Sequence, residues 1–164
     1  MIRTAIITLS DKGAKGERED ESGGVIRAMI GAVGAEVRHY EVLPDDRPLI
    51  AAELARLSDS GEIDLILTTG GTGVAPRDVT PEATREVIDR ELPGMAEAMR
   101  AASLLKTPRA MISRSVAGIR KQTLIVNLPG SPKAVHENLA VILPALEHAV
   151  EKIKGDPSDC AGPA

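Results

Sequence analysis

The sequence is nearly free of aromatic residues, with one tyrosine and no phenylalanine or tryptophan among 164 residues. Proteins that bind single-stranded nucleic acid usually stack the bases on aromatic side chains. This composition therefore argues against nucleic-acid binding, as does a formal net charge of −4. The core must be built from aliphatic side chains, and a planar ligand would have to lie between aliphatic groups and backbone.

Cysteine is equally scarce, because Cys160 is the only one. A single cysteine excludes both a disulfide framework and a zinc motif built on cysteines. The three histidines, His39, His136 and His148, lack the spacing of a metal-binding motif. No apolar run is long enough for a signal peptide or a membrane-spanning helix. We therefore expect a cytoplasmic protein with no membrane partner.

One stretch of the chain lacks acidic residues altogether. Between Ala101 and His136 there is no Asp or Glu, whereas six basic residues occur there: Lys106, Arg109, Arg114, Arg120, Lys121 and Lys133. The stretch is either a solvated positive face or an electropositive wall that attracts an anionic substrate. The sequence leaves both interpretations open.

Apolar patterns of strand type and helix type alternate along the chain, whose length suits one domain. Buried strands are predicted at Ile2–Leu9, Glu36–Leu43, Ile63–Thr68 and Thr123–Leu128, with a shorter one at Ala110–Ser113. Helical spacing predicts helices over 25–33, from Pro48, from Thr80, over Gly94–Leu105 and after Ser131.

Two local features qualify this pattern. Pro144 should break or kink the last helix, because proline clashes with the preceding turn. We expect the charged segment Lys12–Glu21 to be a mobile loop. The alternation predicts an α/β domain at residues 1–154, with a mostly parallel sheet between two layers of helices, and a flexible tail at 155–164.

Ligands of such sheets bind beyond the carboxyl ends of the strands. Four segments follow predicted strands and should therefore meet at one rim: Ser10-Asp11, Pro44-Asp45-Asp46, Thr69–Asp78 and Asn127–Ser131. Their convergence is the main argument from the residues for one active site.

The segment Thr68–Gly73 is rich in glycine and precedes a helix that should begin with Thr80 as N-cap and Pro81 as first residue. A strand, a glycine turn and a helix N-terminus together attract a phosphate group. The segment has no lysine of the GxxxxGK[ST] type and does not fit GxGxxG. Asp78 suggests that Mg²⁺ balances the phosphate charge, although a plain structural turn remains an alternative.

The segment Asn127–Pro132 repeats the arrangement, with Ser131 as the predicted N-cap. Two anion sites suggest two phosphate-bearing partners or two ends of one, and a capped structural turn is an equal alternative. Asp45 and Asp78 offer the oxygen ligands that Mg²⁺ prefers, unless they are ordinary surface turn residues. No Ser-His-Asp or Cys-His arrangement suits covalent catalysis, whereas nucleotidyl transfer needs only positioning and a metal ion.

At these motifs the chain resembles the MogA/MoaB family of molybdenum cofactor biosynthesis. The resemblance covers roughly residues 2–154 and rests on these segments: Ser10-Asp11, Pro44-Asp45, Thr69–Gly73, Arg77–Ala83, Ser113-Arg114, Ala117-Gly118 and Asn127–Pro132. It implies a three-layer α/β/α domain that adenylylates molybdopterin with Mg-ATP and releases pyrophosphate. It also implies a homotrimer, sometimes a hexamer, that passes its product to a molybdenum insertase.

The resemblance also implies roles for individual residues. The acidic pair that holds Mg²⁺ corresponds to Asp45 and Asp78. The nucleotide-binding residues correspond to Thr69, Gly70, Gly71, Thr72 and Gly73, and the pterin and phosphate region to Ser10, Ser113, Arg114, Gly130 and Ser131. Arg77 or Arg114 could stabilise the charge of the transition state.

Two other functions remain open at this stage. Some MoaB members lack the intact Arg-Asp-Val-Thr segment and are inactive, so a non-catalytic pterin-binding scaffold is one alternative. This chain retains the segment as Arg77–Thr80, which favours the active enzyme. The other alternative is a CinA-type nucleotide pyrophosphatase, whose GGLGPT-DD pattern differs here at Thr72 and at Arg77-Asp78.

Overall fold

The computed structural model describes residues 1–158, in which six strands form one sheet. The strands are β1 (Ile2–Leu9), β2 (Ala35–Leu43), β3 (Leu65–Thr69), β4 (Arg90–Glu91), β5 (Ala117–Arg120) and β6 (Thr123–Leu128). Their order across the sheet is β2-β1-β3-β6-β5-β4. The pairs β1–β2, β1–β3 and β3–β6 are parallel, whereas β5 is antiparallel to β4 and β6. The predicted mostly parallel sheet is confirmed.

Helices connect the strands and cover both faces of the sheet. They are α1 (Asp11–Ala14), α2 (Glu21–Ile30), α3 (Arg47–Asp59), α4 (Thr80–Val87), α5 (Pro93–Leu104) and α6 (Pro132–Ile153). Two 3₁₀ segments occur at Gly31–Val33 and Pro108–Ile112. No helix within residues 1–158 is long and apolar enough to cross a membrane.

Successive residues of the central strands point into two separate cores. Ile6 packs with Leu139 of α6 in the core under α2, α5 and α6. Its neighbour Ile7 packs with Leu54 of α3 in the core under α3 and α4. Because strand side chains alternate between the two faces, a buried central strand is apolar throughout. The three-layer α/β/α arrangement is therefore confirmed.

One prediction of local structure is wrong, and of the break or kink expected at Pro144 the break does not occur. The expected strand at Ala110–Ser113 is a 3₁₀ segment that begins after Thr107, whose hydroxyl accepts a hydrogen bond from the Arg109 N–H. The last helix is not broken, because α6 runs through Pro144 to Ile153. Apolar residues on both sides of the proline are buried against one core, and this packing outweighs the lost backbone hydrogen bond.

The segment Lys12–Glu21 is not entirely loop. It contains most of α1, and its residue Asp20 caps α2 by accepting a hydrogen bond from the Gly23 N–H at 2.9 Å. The predicted tail at 155–164 extends beyond the described residues, and Cys160 lies outside them.

Candidate active site

The four segments expected to converge do meet at the carboxyl edge of the parallel strands. They enclose a cleft of about 630 Å³. Eight of the predicted site residues line it: Ser10, Asp45, Thr69, Gly70, Gly71, Asp78, Gly130 and Ser131.

The glycine turn at the bottom of the cleft depends on two left-handed residues. Gly70 and Gly71 have φ angles of 98° and 66°. A Cβ on Gly70 would collide with the carbonyl oxygen of Leu9, and one on Gly71 would collide with the hydroxyl of Thr80. Glycine is therefore required at both positions by conformation and by space.

The two strand–turn–helix segments are joined to each other by hydrogen bonds. The Thr69 hydroxyl donates to the carbonyl of Pro129 at 2.6 Å, and the Gly70 N–H donates to the carbonyl of Leu128 at 3.2 Å. The Cα of Gly70 lies 3.4 Å from where a Cβ on Gly130 would be. The two predicted anion sites therefore form one continuous surface.

Of the two predicted N-caps, one is confirmed and one is wrong. The Ser131 hydroxyl accepts a hydrogen bond from the Ala134 N–H at 3.2 Å and caps α6. Thr80 does not cap α4, because it is the first residue of that helix and Val79 precedes it. The buried Thr80 hydroxyl instead donates to the carbonyl of Gly70 at 2.9 Å. It attaches α4 to the glycine turn.

Asp45 and Asp78 face the same cleft, each with one oxygen already engaged. Asp45 Oδ2 accepts from the Asp11 N–H at 3.1 Å, and Asp78 Oδ2 accepts from the Ala75 N–H at 2.9 Å. Neither Oδ1 atom accepts a hydrogen bond from another residue within 1–158. Burial raises the pKa of Asp45, and the charges of Asp11 and Asp78 raise it further. A cation between the two carboxylates would relieve this repulsion.

Arg77 holds Asp11 and the backbone of Asp45 in place. Its guanidinium donates to Asp11 Oδ2 at 2.5 Å and Oδ1 at 2.8 Å, and to the carbonyl of Asp45 at 3.0 Å. Asp11 in turn accepts from the Asp45 N–H at 3.0 Å. The Arg77 contact lowers the pKa of Asp11, so that carboxylate stays ionised. Arg77 is therefore a neutralised positioning residue.

Arg114 and Ser113 do not line the cleft, contrary to the expectation for the pterin region. Arg114 donates to the carbonyls of Gly73 and Asp78, both at 2.6 Å, and forms an ion pair with Glu82. Through these contacts, Arg114 supports the glycine-rich loop from outside the cleft. Ser113 lines a second cleft of about 240 Å³ together with Thr72 and Gly73.

Four of the six basic residues in the acid-free stretch are paired with acidic residues of other segments, which weakens the interpretation as an electropositive wall. Arg114 pairs with Glu82, Lys106 with Glu137, and both Arg120 and Lys121 with Asp59. These two cations lower the pKa of Asp59 to about 2. The charge count over residues 101–136 did not include these acidic residues, because they belong to other segments that folding brings next to the stretch.

Comparison with known proteins places this arrangement in a family. Residues 5–148 match the family described as "Probable molybdopterin binding domain". The chain belongs to this family.

Similar proteins carry more specific names. A molybdopterin adenylyltransferase from Helicobacter pylori strain J99 is 43% identical over 157 residues, which cover 94% of this chain and 89% of the relative. Gephyrin from Dictyostelium discoideum is 43% identical over 93% of this chain but only 22% of its own length. The crystal structure of the molybdopterin biosynthesis enzyme MoaB from Thermus thermophilus matches with a TM-score of 0.90 and 52% identity, covering 97% of this chain and 100% of that one.

In this member of the molybdopterin-binding domain family, sequence reasoning missed one wall of the cleft. Asp20 Oδ2 accepts from the hydroxyls of Thr8 at 2.5 Å and Tyr40 at 2.7 Å. The Ser22 hydroxyl donates to the carbonyl of Gly130 at 2.7 Å and joins α2 to the second turn. An Asp directly before an apolar helical period is an N-cap signal that could have revealed this wall.

The same wall carries charge of both signs, because Arg18 lines the cleft next to Glu19, Asp20 and Glu21. Arg18 lines the cleft and forms no salt bridge with any residue in the described chain. The helices α2 and α6 both begin at the cleft, after Asp20 and Ser131. Their N-terminal amides add partial positive charge, which suits a phosphate group.

Proposed function

We propose that this chain is a molybdopterin adenylyltransferase, which transfers AMP from Mg-ATP to molybdopterin and releases pyrophosphate. The observation that carries the proposal is the pair Asp45 and Asp78, which lines the same cleft as the left-handed glycine turn at Gly70 and Gly71. The name and the 43% identity of the Helicobacter pylori relative support the same activity. The intact segment Arg77–Thr80 supports an active enzyme rather than a scaffold.

The acidic pair fits a magnesium ion. Mg²⁺ is commonly held by one or two carboxylates together with substrate phosphates. Asp45 and Asp78 would hold it through their Oδ1 atoms, while Arg77 and Asp11 keep Asp45 in place. When bound, the ion would neutralise negative charge on the triphosphate and on the transferring group.

The rest of the cleft would bind and orient the two substrates. An oxygen of the terminal phosphate of molybdopterin attacks the α-phosphorus of ATP, and the bond from that phosphorus to pyrophosphate breaks. We assign phosphate binding to the helix N-termini after Asp20 and Ser131. The turn at Gly70 and Gly71 lets the substrate approach the backbone closely.

We assign the remaining positive charge to Arg18. Arg77 and Arg114 are already neutralised by Asp11 and Glu82, so neither is free to contact a phosphate. Arg18 lines the cleft without a salt bridge to another residue of 1–158. We therefore propose that it contacts a phosphate of ATP or of the pterin.

We also propose a homotrimer in the cytoplasm that passes its product to a molybdenum insertase. Support for self-association comes from an exposed apolar patch at the end of α5 and in the following 3₁₀ segment: Leu104, Leu105, Met111 and Ile112. In a chain with one aromatic residue, we expect an interface to rely on aliphatic side chains and arginine. Light scattering that detects only a 17.2 kDa species at micromolar concentration would contradict the trimer.

One incubation tests the activity. The protein is mixed with molybdopterin, ATP and Mg²⁺, and the products are separated and identified by mass. Adenylylated molybdopterin and pyrophosphate are expected in equal amounts. Pterin binding without product would favour the scaffold, and release of AMP from a dinucleotide without pterin would favour the CinA-type activity.

A further inference from the structure

A second group of metal-ligating side chains lies between β2 and α3, outside the cleft. It consists of His39 and Glu41 on β2 and Glu53 on α3, here called the β2–α3 cluster. The Nε2 atom of His39 is 3.3 Å from Glu41 Oε2 and 3.3 Å from Glu53 Oε1. All three side chains are partly exposed, at 28%, 39% and 14%.

A β-bulge directs the histidine toward α3. The register of β1 and β2 pairs Thr4 with Val37 but Ala5 with His39, so β2 contains one extra residue between these pairs. Val37 packs against the α2 and α6 core, whereas Ala5 belongs to the core under α3. Bulges commonly redirect a side chain near a functional site.

The Nε2 atom of His39 faces two carboxylate oxygens at once. A cation placed between these three atoms would be attracted by both carboxylates and by the nitrogen lone pair.

The distances fit a metal ion of the zinc type. With zinc-to-ligand bonds of about 2.0 to 2.2 Å, neighbouring ligand atoms of a tetrahedral site are about 3.4 Å apart. The two distances from His39 Nε2 are both 3.3 Å. Imidazole favours zinc and similar transition metals over Mg²⁺, which prefers oxygen ligands.

Hydrogen bonds from Arg56 orient the Glu53 carboxylate. The guanidinium donates to Glu53 Oε2 at 2.8 Å and to Oε1 at 2.5 Å. Such second contacts orient metal ligands in many sites.

We propose that His39, Glu41 and Glu53 bind one zinc-type cation, with water completing the tetrahedron. The site is separate from Asp45 and Asp78, because His39 lies four residues, about 13 Å, before the end of β2. The ion would fasten the edge strand β2 to α3 and stabilise the fold.

Calorimetric titration with Zn²⁺ tests the proposal, using protein freed of metal by a chelator and kept in excess Mg²⁺. The wild type should bind one zinc ion per chain. At a hundredfold excess over the dissociation constant, zinc should raise the melting temperature by about 5 to 10 °C. His39→Gln and Glu41→Gln should each weaken zinc binding at least tenfold and lose most of this shift.

Matched variants identify the site. His148→Gln removes an exposed histidine of α6, and Asp78→Asn removes a carboxylate of the cleft; both should bind zinc as the wild type does. If His39→Gln does not fold, Glu41→Gln decides the question. Zinc binding that survives the loss of Glu41 or His39, or no binding at all, would overturn the proposal.

Discussion

Neutralising Asp78 should nearly abolish adenylyl transfer without unfolding the protein. Asp78→Asn keeps the side-chain shape, and its amide oxygen can still accept the hydrogen bond from the Ala75 N–H. The loop should therefore keep its conformation. What disappears is one negative charge beside the expected position of Mg²⁺ and the triphosphate.

The size of the effect follows from the charge. Two unit charges about 4 Å apart interact with an energy of about 4 kcal/mol at an effective dielectric constant of about 20, which suits protein surfaces. Loss of a comparable group that stabilises transition-state charge costs about 3 to 4 kcal/mol in other enzymes. We therefore expect the rate to fall about 100- to 1000-fold, and Asp45→Asn to behave similarly.

The assay compares pterin binding and product formation on one preparation of each variant. Pterin binding should remain near that of the wild type, because the turn at Gly130 and Ser131 is unchanged. Asp46→Asn is the matched control: it removes a neighbouring charge, and Asn can still cap α3 through the Leu49 N–H. Turnover near the wild-type value in both Asp45→Asn and Asp78→Asn would refute the mechanism and favour the scaffold.

Three further outcomes are expected. Arg18→Ala should raise the KM of a phosphate-bearing substrate and reduce its salt dependence in steady-state assays, whereas Lys15→Ala, outside the cleft, should not. Gly71→Ala should lower the free energy of unfolding in urea more than Gly34→Ala does; both residues have φ near 66°, but only at Gly71 does a Cβ meet another side chain. Asp64→Asn should lower the free energy of unfolding by about 2 to 3 kcal/mol at pH 7. The reason is that hydrogen bonds from Arg3 and Lys154 outweigh the effect of burial and lower the pKa of Asp64. The lowered pKa makes this stability available above pH about 4, so the melting temperatures of wild type and variant should converge as the pH falls below 4.

The fold was largely predictable because hydrophobic periodicity depends on neighbours along the chain. The strand Ile2–Leu9 was predicted to the residue. The strand Ala117–Arg120 escaped prediction because it is four residues long and gains its stability from pairing with β6.

The candidate site was predictable where its residues directly follow strands. Asp45, Gly70 and Ser131 lie in the cleft because parallel strands end at a common edge. Arg114 was expected in the pterin region only from the family resemblance, and it lies outside the cleft because Glu82 and two carbonyl groups hold its guanidinium. The direction in which a side chain points depends on partners that are distant in the sequence, so a local pattern does not predict it.

By itself, the sequence determined the class of fold, the rim where the site lies and the family motifs, since these depend on local patterns and on the order of elements. Only the tertiary structure decided which charges are free. It paired four cations of the acid-free stretch and left Arg18 at the cleft. It also brought His39 next to Glu53 through one extra residue in β2. Electrostatic and metal-binding properties depend on distances of a few ångströms between residues far apart in the chain, and those distances exist only after folding.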